Sequence, residues 1–102
     1  MKLVNATSNY ESMVVLSSNC TDEELKDIAS KYAQQLKKLG ALSISVISRG
    51  CRDFAYKTKI AKMGYFVEIY FNSSPKVLPI YQTKLKLDKD IIRSSIINLD
   101  KN

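Results

Sequence analysis

Residues 49–71, RGCRDFAYKTKIAKMGYFVEIYF, set two apolar β-type runs on either side of a loop whose charge is almost all positive. Arg49, Arg52, Lys57, Lys59 and Lys62 face a single acid, Asp53. Residues 41–56 read as a long strand, with Leu42, Ile44 and Val46 alternating against serines and a bulge at Gly50. Residues 65–71 read as the next strand. Their apolar run, broken only by Glu68, suits a central position buried on one face and partly covered on the other. A projecting cationic loop beside an aromatic strand can lie against a phosphate backbone, where each neutralised phosphate releases a counterion. The competing reading of the same charge is a solvated hairpin tip whose lysines serve solubility.

Upstream, Thr21 followed by Asp22, Glu23 and Glu24 forms a capping box. The threonine oxygen can accept from the Glu24 amide, the Glu24 carboxylate can accept from the Thr21 amide, and the acids meet the positive end of the helix dipole. Leu25, Ile28, Ala29, Tyr32, Leu36 and Leu39 then recur at helical spacing, with Lys37 and Lys38 in the last turn and Gly40 as a left-handed stop. Residues 10–16 read as a first strand, with Tyr10, Ser12, Val14 and Leu16 on one face and Glu11, Met13 and Val15 on the other. A second helix follows residue 73. Either Ser74 and Pro75 are its cap and first residue, with a first turn distorted by Pro79, or it begins near Pro79 itself. Residues 91–99 read as the last strand.

The order strand, helix, strand, strand, helix, strand is the split βαβ pattern of an α+β, ferredoxin-like sandwich: a four-stranded antiparallel sheet with two helices on one face. Its first and third strands lie side by side at the centre. The helices would cover Val14, Leu16, Val67, Ile69 and Phe71. The opposite face would carry Met13, Val15, Phe66, Tyr70, Arg93 and Ile97, too apolar a set for open water, so a partner is expected there. A chain terminus folded across the sheet is the other way to cover it.

At 102 residues the chain fits one domain, with its core over about 10–99 and short tails at each end. A net charge of +6 favours an anionic partner, and hydrophobic residues at 45% exclude a disordered chain. Lysines outnumber arginines 13 to 3, a hint of an AT-rich genome such as an organelle's. With no histidine, the commonest general base and metal ligand is missing. Cys20 and Cys51 stand apart from each other and from other ligands, which suggests reduced thiols rather than a zinc site or a disulfide framework. Asn5-Ala6-Thr7 and Asn19-Cys20-Thr21 match the glycosylation pattern but follow no secretory signal. No apolar run approaches the roughly 20 residues that span a bilayer, so no membrane role is expected.

The isolated glycines Gly40, Gly50 and Gly64 offer no P-loop or dinucleotide turn, and no nucleophile, base or metal set can be assembled. No catalytic residue, cofactor, metal or small-molecule substrate is therefore expected. Residues 63–69, MGYFVEI, partly match the RNP1 signature of RNA-recognition motifs. Tyr65 and Phe66 are adjacent, however, and so point to opposite faces, which removes the paired stacking platform.

Taken in order, Tyr10-Glu11, Lys31-Tyr32, Gly40-Ala41, Arg49-Gly50, Arg52, Ala55-Tyr56, Gly64-Tyr65, Pro75 and Ile92-Arg93-Ser94 resemble the bacterial-type small-subunit ribosomal protein six family over nearly the whole chain. The Arg49-Gly50 pair resembles the cyanobacterial and plastid branch most. The resemblance implies a structural protein of the small ribosomal subunit without catalytic activity. It also implies that the protein binds small-subunit rRNA together with ribosomal protein eighteen, on a ribosome of the plastid stroma or, alternatively, the bacterial cytoplasm. With that function, the cations of the basic loop, Arg49, Arg52, Lys57, Lys59 and Lys62, together with Arg93, are the expected rRNA contacts. The partner-protein interface would be Met13, Val15, Phe66, Tyr70 and Ile97. Asp53 stands where the family usually has a second arginine, and Lys57 where it has a proline, which moves charge within the loop. The competing function is a ferredoxin-like regulatory or dimerisation module that uses the same sheet face without RNA.

Overall fold

The computed structural model describes residues 6–55 and 61–100, and the side chains of these apart from residues 52–55, 61 and 62. The chain runs β1 (Ser8–Ser17), α1 (Asp22–Lys38), β2 (Leu42–Ala55), β3 (Ala61–Ser73), α2 (Val77–Leu87) and β4 (Ile91–Asn98). All four strands form one antiparallel sheet in the order β2-β3-β1-β4, with β1 and β3 at the centre. This is the ferredoxin-like sandwich that the element order predicts. Strand β3 begins at Ala61 rather than Tyr65, so much of the cationic segment is paired ladder: Arg52 pairs with Gly64 and Ala55 with Ala61.

Helix α1 begins as its sequence requires. The Thr21 hydroxyl accepts from the Glu24 amide at 3.2 Å, and the Thr21 amide donates to the Glu24 carboxylate at 2.9 Å. That backbone amide holds the Glu24 carboxyl below its ordinary value. The far end is a Schellman motif. Gly40, at φ +95°, donates to the Lys37 carbonyl, and the Ala41 amide reaches back to the Leu36 carbonyl at 2.9 Å. The start of α2 falls between the two expected ones: Ser74 Oγ accepts from the Lys76 amide at 3.3 Å, as a cap would, but the regular helix begins at Val77, two residues before Pro79. A turn in which the Val77 amide donates to Ser74 O and the Leu78 amide to Pro75 O leads into a helix that begins at Val77. Pro79 sits in the first turn, where amides have no helical acceptor, so its missing N–H costs nothing there.

Below the sheet, Val14 and Leu16 of β1, Val67, Ile69 and Phe71 of β3, Tyr32 and Leu36 of α1, and Tyr81 and Leu85 of α2 form one buried cluster. An aromatic series ties the layers together: Tyr10 lies 5.5 Å from Phe71, Phe71 5.7 Å from Tyr81, and Tyr81 6.2 Å from Tyr32, ring centre to ring centre. The hydroxyls of Tyr81 and Tyr32, between the helices and the sheet, are satisfied. Tyr81 shares a 2.9 Å hydrogen bond with Ser12, and Tyr32 donates to Asp88 at 2.6 Å. Burial pushes the Tyr81 phenol up to about 12, with the Ser12 contact acting the other way. Burial alone would raise the Asp88 carboxyl, but hydrogen bonds from Tyr32, the Asp90 amide and Lys31 together hold it below its ordinary value.

The alternation expected at the start of β2 is interrupted. Ser43 has φ +54°, the register slips between Leu42 and Ser45, and Leu42 is left exposed. The bulge expected at Gly50 is present, with φ +84° and a second slip between Ser48 and Gly50. Among the described residues, no helix is long and apolar enough to cross a membrane.

The cap is the cheapest test of this architecture. Thr21→Ala should destabilise the domain by roughly 0.5–2 kcal/mol in urea unfolding. No measurable loss would mean that the helix does not begin at this cap.

Candidate protein and nucleic-acid interface

The face of the sheet away from the helices is arranged in rows by strand register. Val15 lies between Phe66 of β3 and Arg93 of β4, Met13 between Glu68 and Ser95, and Glu11 between Tyr70 and Ile97. Met13, Val15, Phe66 and Arg93, together with Ser94 and Ser95, line a concavity of about 260 Å³. Val15 forms its floor and is only 3% exposed, although no helix covers this side. Phe66 therefore faces away from the core cluster, whereas Tyr65, its neighbour, packs against that cluster. The predicted interface residues thus share one face. Met13, Val15 and Phe66 converge, while Tyr70, farther along β3 than Phe66, and Ile97, farther along β4 than Ser95, do not line the concavity.

Next to this apolar half lies a polar one that the sequence reading did not foresee. The Glu68 carboxylate accepts from Arg49 Nε at 3.1 Å, from Arg49 Nη2 at 3.0 Å and from the Tyr70 hydroxyl at 3.0 Å. Glu68 is buried, with its side chain 10% exposed, and Arg49 is 45% exposed. Hydrogen bonding to Glu68 is the leading cause that raises both the Arg49 guanidinium and the Tyr70 phenol. A lone acid in an otherwise apolar strand was the available signal, since a buried carboxylate needs a cation and donors. Arg49 therefore lies on the sheet face, bound to an acid of its own chain.

The other predicted rRNA contacts divide. Lys57 and Lys59 lie outside the described residues. Arg52 and Lys62 occupy β2 and β3, but their side chains are outside the description as well. Arg93 stands on β4 beside Val15, among the predicted protein-interface residues. Among the described residues no group of three or more His, Cys, Asp or Glu side chains could hold a metal ion.

The family model for ribosomal protein S6 matches residues 9–98. The chain belongs to the ribosomal protein S6 family. It is 43% identical to the small ribosomal subunit protein bS6c of Trieres chinensis over 93% of this chain and 99% of that protein. It is 32% identical to bS6 of Trichormus variabilis over 82% of this chain and 78% of that one. Its fold matches 30S ribosomal protein S6 of Thermotoga maritima with a TM-score of 0.81, at 24% identity, over 91% of this chain and 88% of that one. As an S6 protein it is a structural component of the small ribosomal subunit, and its relatives include plastid-type and cyanobacterial members.

The Arg49–Glu68 pair should carry stability rather than solvent-facing charge. Arg49→Ala leaves a buried carboxylate without its cation and should lower the urea midpoint. Adding Glu68→Leu to Arg49→Ala should recover most of the loss. An unchanged midpoint for Arg49→Ala would show that the pair has no structural role.

Proposed function

We propose that this protein binds small-subunit rRNA jointly with ribosomal protein eighteen, taking the protein partner on the open sheet face and the RNA on the basic β2–β3 segment. The observation that carries the reading is the concavity floored by Val15 and walled by Met13 and Phe66 on the face away from the helices. An apolar hollow of this kind on a sheet face favours burial against another protein. The net charge of +6 supports an RNA partner, and Arg52, Lys57, Lys59 and Lys62 cluster in sequence between and beside the end of β2 and the start of β3. Family membership supports this reading over an RNA-free dimerisation module, and the role is one of assembly without catalysis. The plastid ribosome is the favoured location. The bS6c proteins of Trieres chinensis and Phaeodactylum tricornutum, at 43% and 35% identity, support it beside the lysine-rich composition.

Two measurements test the two halves separately. Phe66→Ala should weaken binding of protein eighteen on the order of 30-fold, as truncation of an aromatic anchor typically does, and leave the free domain folded. A loss of about 3–5 kcal/mol in the stability of the free protein would instead mark Phe66 as a core residue. Changing Lys57, Lys59 and Lys62 together to Ala should weaken rRNA binding and flatten the plot of log affinity against log salt by up to about 3 units. Unchanged affinity and slope would remove the RNA role of this segment.

A further inference from the structure

Arg93 is one of the three arginines of the chain, and its setting differs from that of Arg49. Arg49 is engaged by Glu68, whereas the exposed Arg93 side chain makes no hydrogen bond or ion pair with the described residues. It lies in register with Val15 and forms part of the wall of the concavity. The sheet is irregular at that point. Val15 pairs with Arg93 but Leu16 pairs with Ile91, so Ile92 is an extra residue on β4. A bulge of this kind re-aims the side chains next to it and commonly stands beside a functional surface.

We propose that Arg93 is a protein-recognition residue and not an rRNA contact: it pairs with the side-chain carboxylate of an Asp or Glu on the protein partner, adjacent to the apolar side chain that fills the Met13–Val15–Phe66 hollow. The inference rests on the docking of protein eighteen proposed above. Charge complementarity carries it. Glu68, opposite Met13 on β3, is already held by Arg49 and Tyr70, and Arg93 is the one charged residue that lines the hollow, so it gives the hollow a positive rim. A guanidinium binds a carboxylate through two parallel N–H donors, and a partner that excludes water from the apolar floor strengthens that pair. A nucleotide fits less well. The hollow offers one aromatic ring over aliphatic Val15 and Met13, not a stacking platform, and its lining holds one cation for a phosphate backbone.

The test is calorimetric titration of the full chain with protein eighteen from the same organism, and separately with a fragment of the small-subunit rRNA, using wild type, Arg93→Glu, Arg93→Gln and Phe66→Ala. Arg93 is exposed, so both variants should fold as wild type does, checked by urea unfolding. Arg93→Glu should weaken protein eighteen at least 10-fold and Arg93→Gln by less, with rRNA affinity and its salt slope unchanged. Replacing the responsible acid of protein eighteen by Lys should restore binding to Arg93→Glu. If Phe66→Ala weakens protein eighteen while both Arg93 variants bind as wild type, the carboxylate pairing is wrong and the docking face stands. If neither position matters to protein eighteen, the docking face itself is wrong and the role of Arg93 falls with it. If Arg93→Glu leaves protein eighteen untouched but lowers rRNA affinity and flattens its salt slope by about 1 unit, Arg93 is a phosphate contact.

Discussion

The two-residue period of an extended strand puts Val14 and Val15 on opposite faces of β1, and both are nearly inaccessible. Val14 is covered by the helices, within the buried cluster. Val15 is enclosed by its cross-strand neighbours Phe66 and Arg93, on a side where no helix lies. Because the period is fixed, a one-residue slip in β1 would move Tyr10, Val14 and Leu16 out of the core and bring Glu11 and Met13 in. Register in the two central strands thus decides both the stability of the domain and the make-up of its open face. The aromatic series from Tyr10 to Tyr32 and the Ser12–Tyr81 hydrogen bond hold that register from below.

The polar half of the open face follows from the same geometry. Glu68 is forced onto that side by its place between Val67 and Ile69, and a carboxylate so enclosed requires a cation. Arg49, next to the Gly50 bulge on the neighbouring strand, supplies it together with the Tyr70 hydroxyl. Two arginines that look equivalent as positive charge in the sequence therefore differ in what remains for a partner. One is committed within the chain, and the other stands at the rim of an apolar hollow.

Local signals were the legible part of the sequence. The Thr21 cap, the Gly40 stop, the Gly50 bulge and the side on which each residue of β1 and β3 lies could all be read from residue type and spacing, because each depends on neighbours within a few positions. The start of α2 was harder. Ser74, Pro75 and Pro79 are all start signals by residue type, and the turn that leads to Val77 combines a Ser74 side-chain contact to the Lys76 amide with two backbone hydrogen bonds, a combination that residue type alone does not select. The positive φ at Ser43 was likewise invisible, since serine carries no preference for that conformation. Within the candidate site, the apolar members were found by alternation alone. The engagement of Arg49 and the placement of Arg93 depend on which strands are neighbours and in what register, information that a count of charges does not contain.

Val14 and Val15 also supply the most direct measurement. In methyl NMR of the labelled protein titrated with unlabelled protein eighteen, the signals of Met13, Val15 and Ile97 should shift or broaden, while those of Val14, Leu36 and Ile69, under the helices, should hold their positions. Perturbation of the second set with the first unchanged would place the partner on the helical side and rule out the open sheet face as its docking surface.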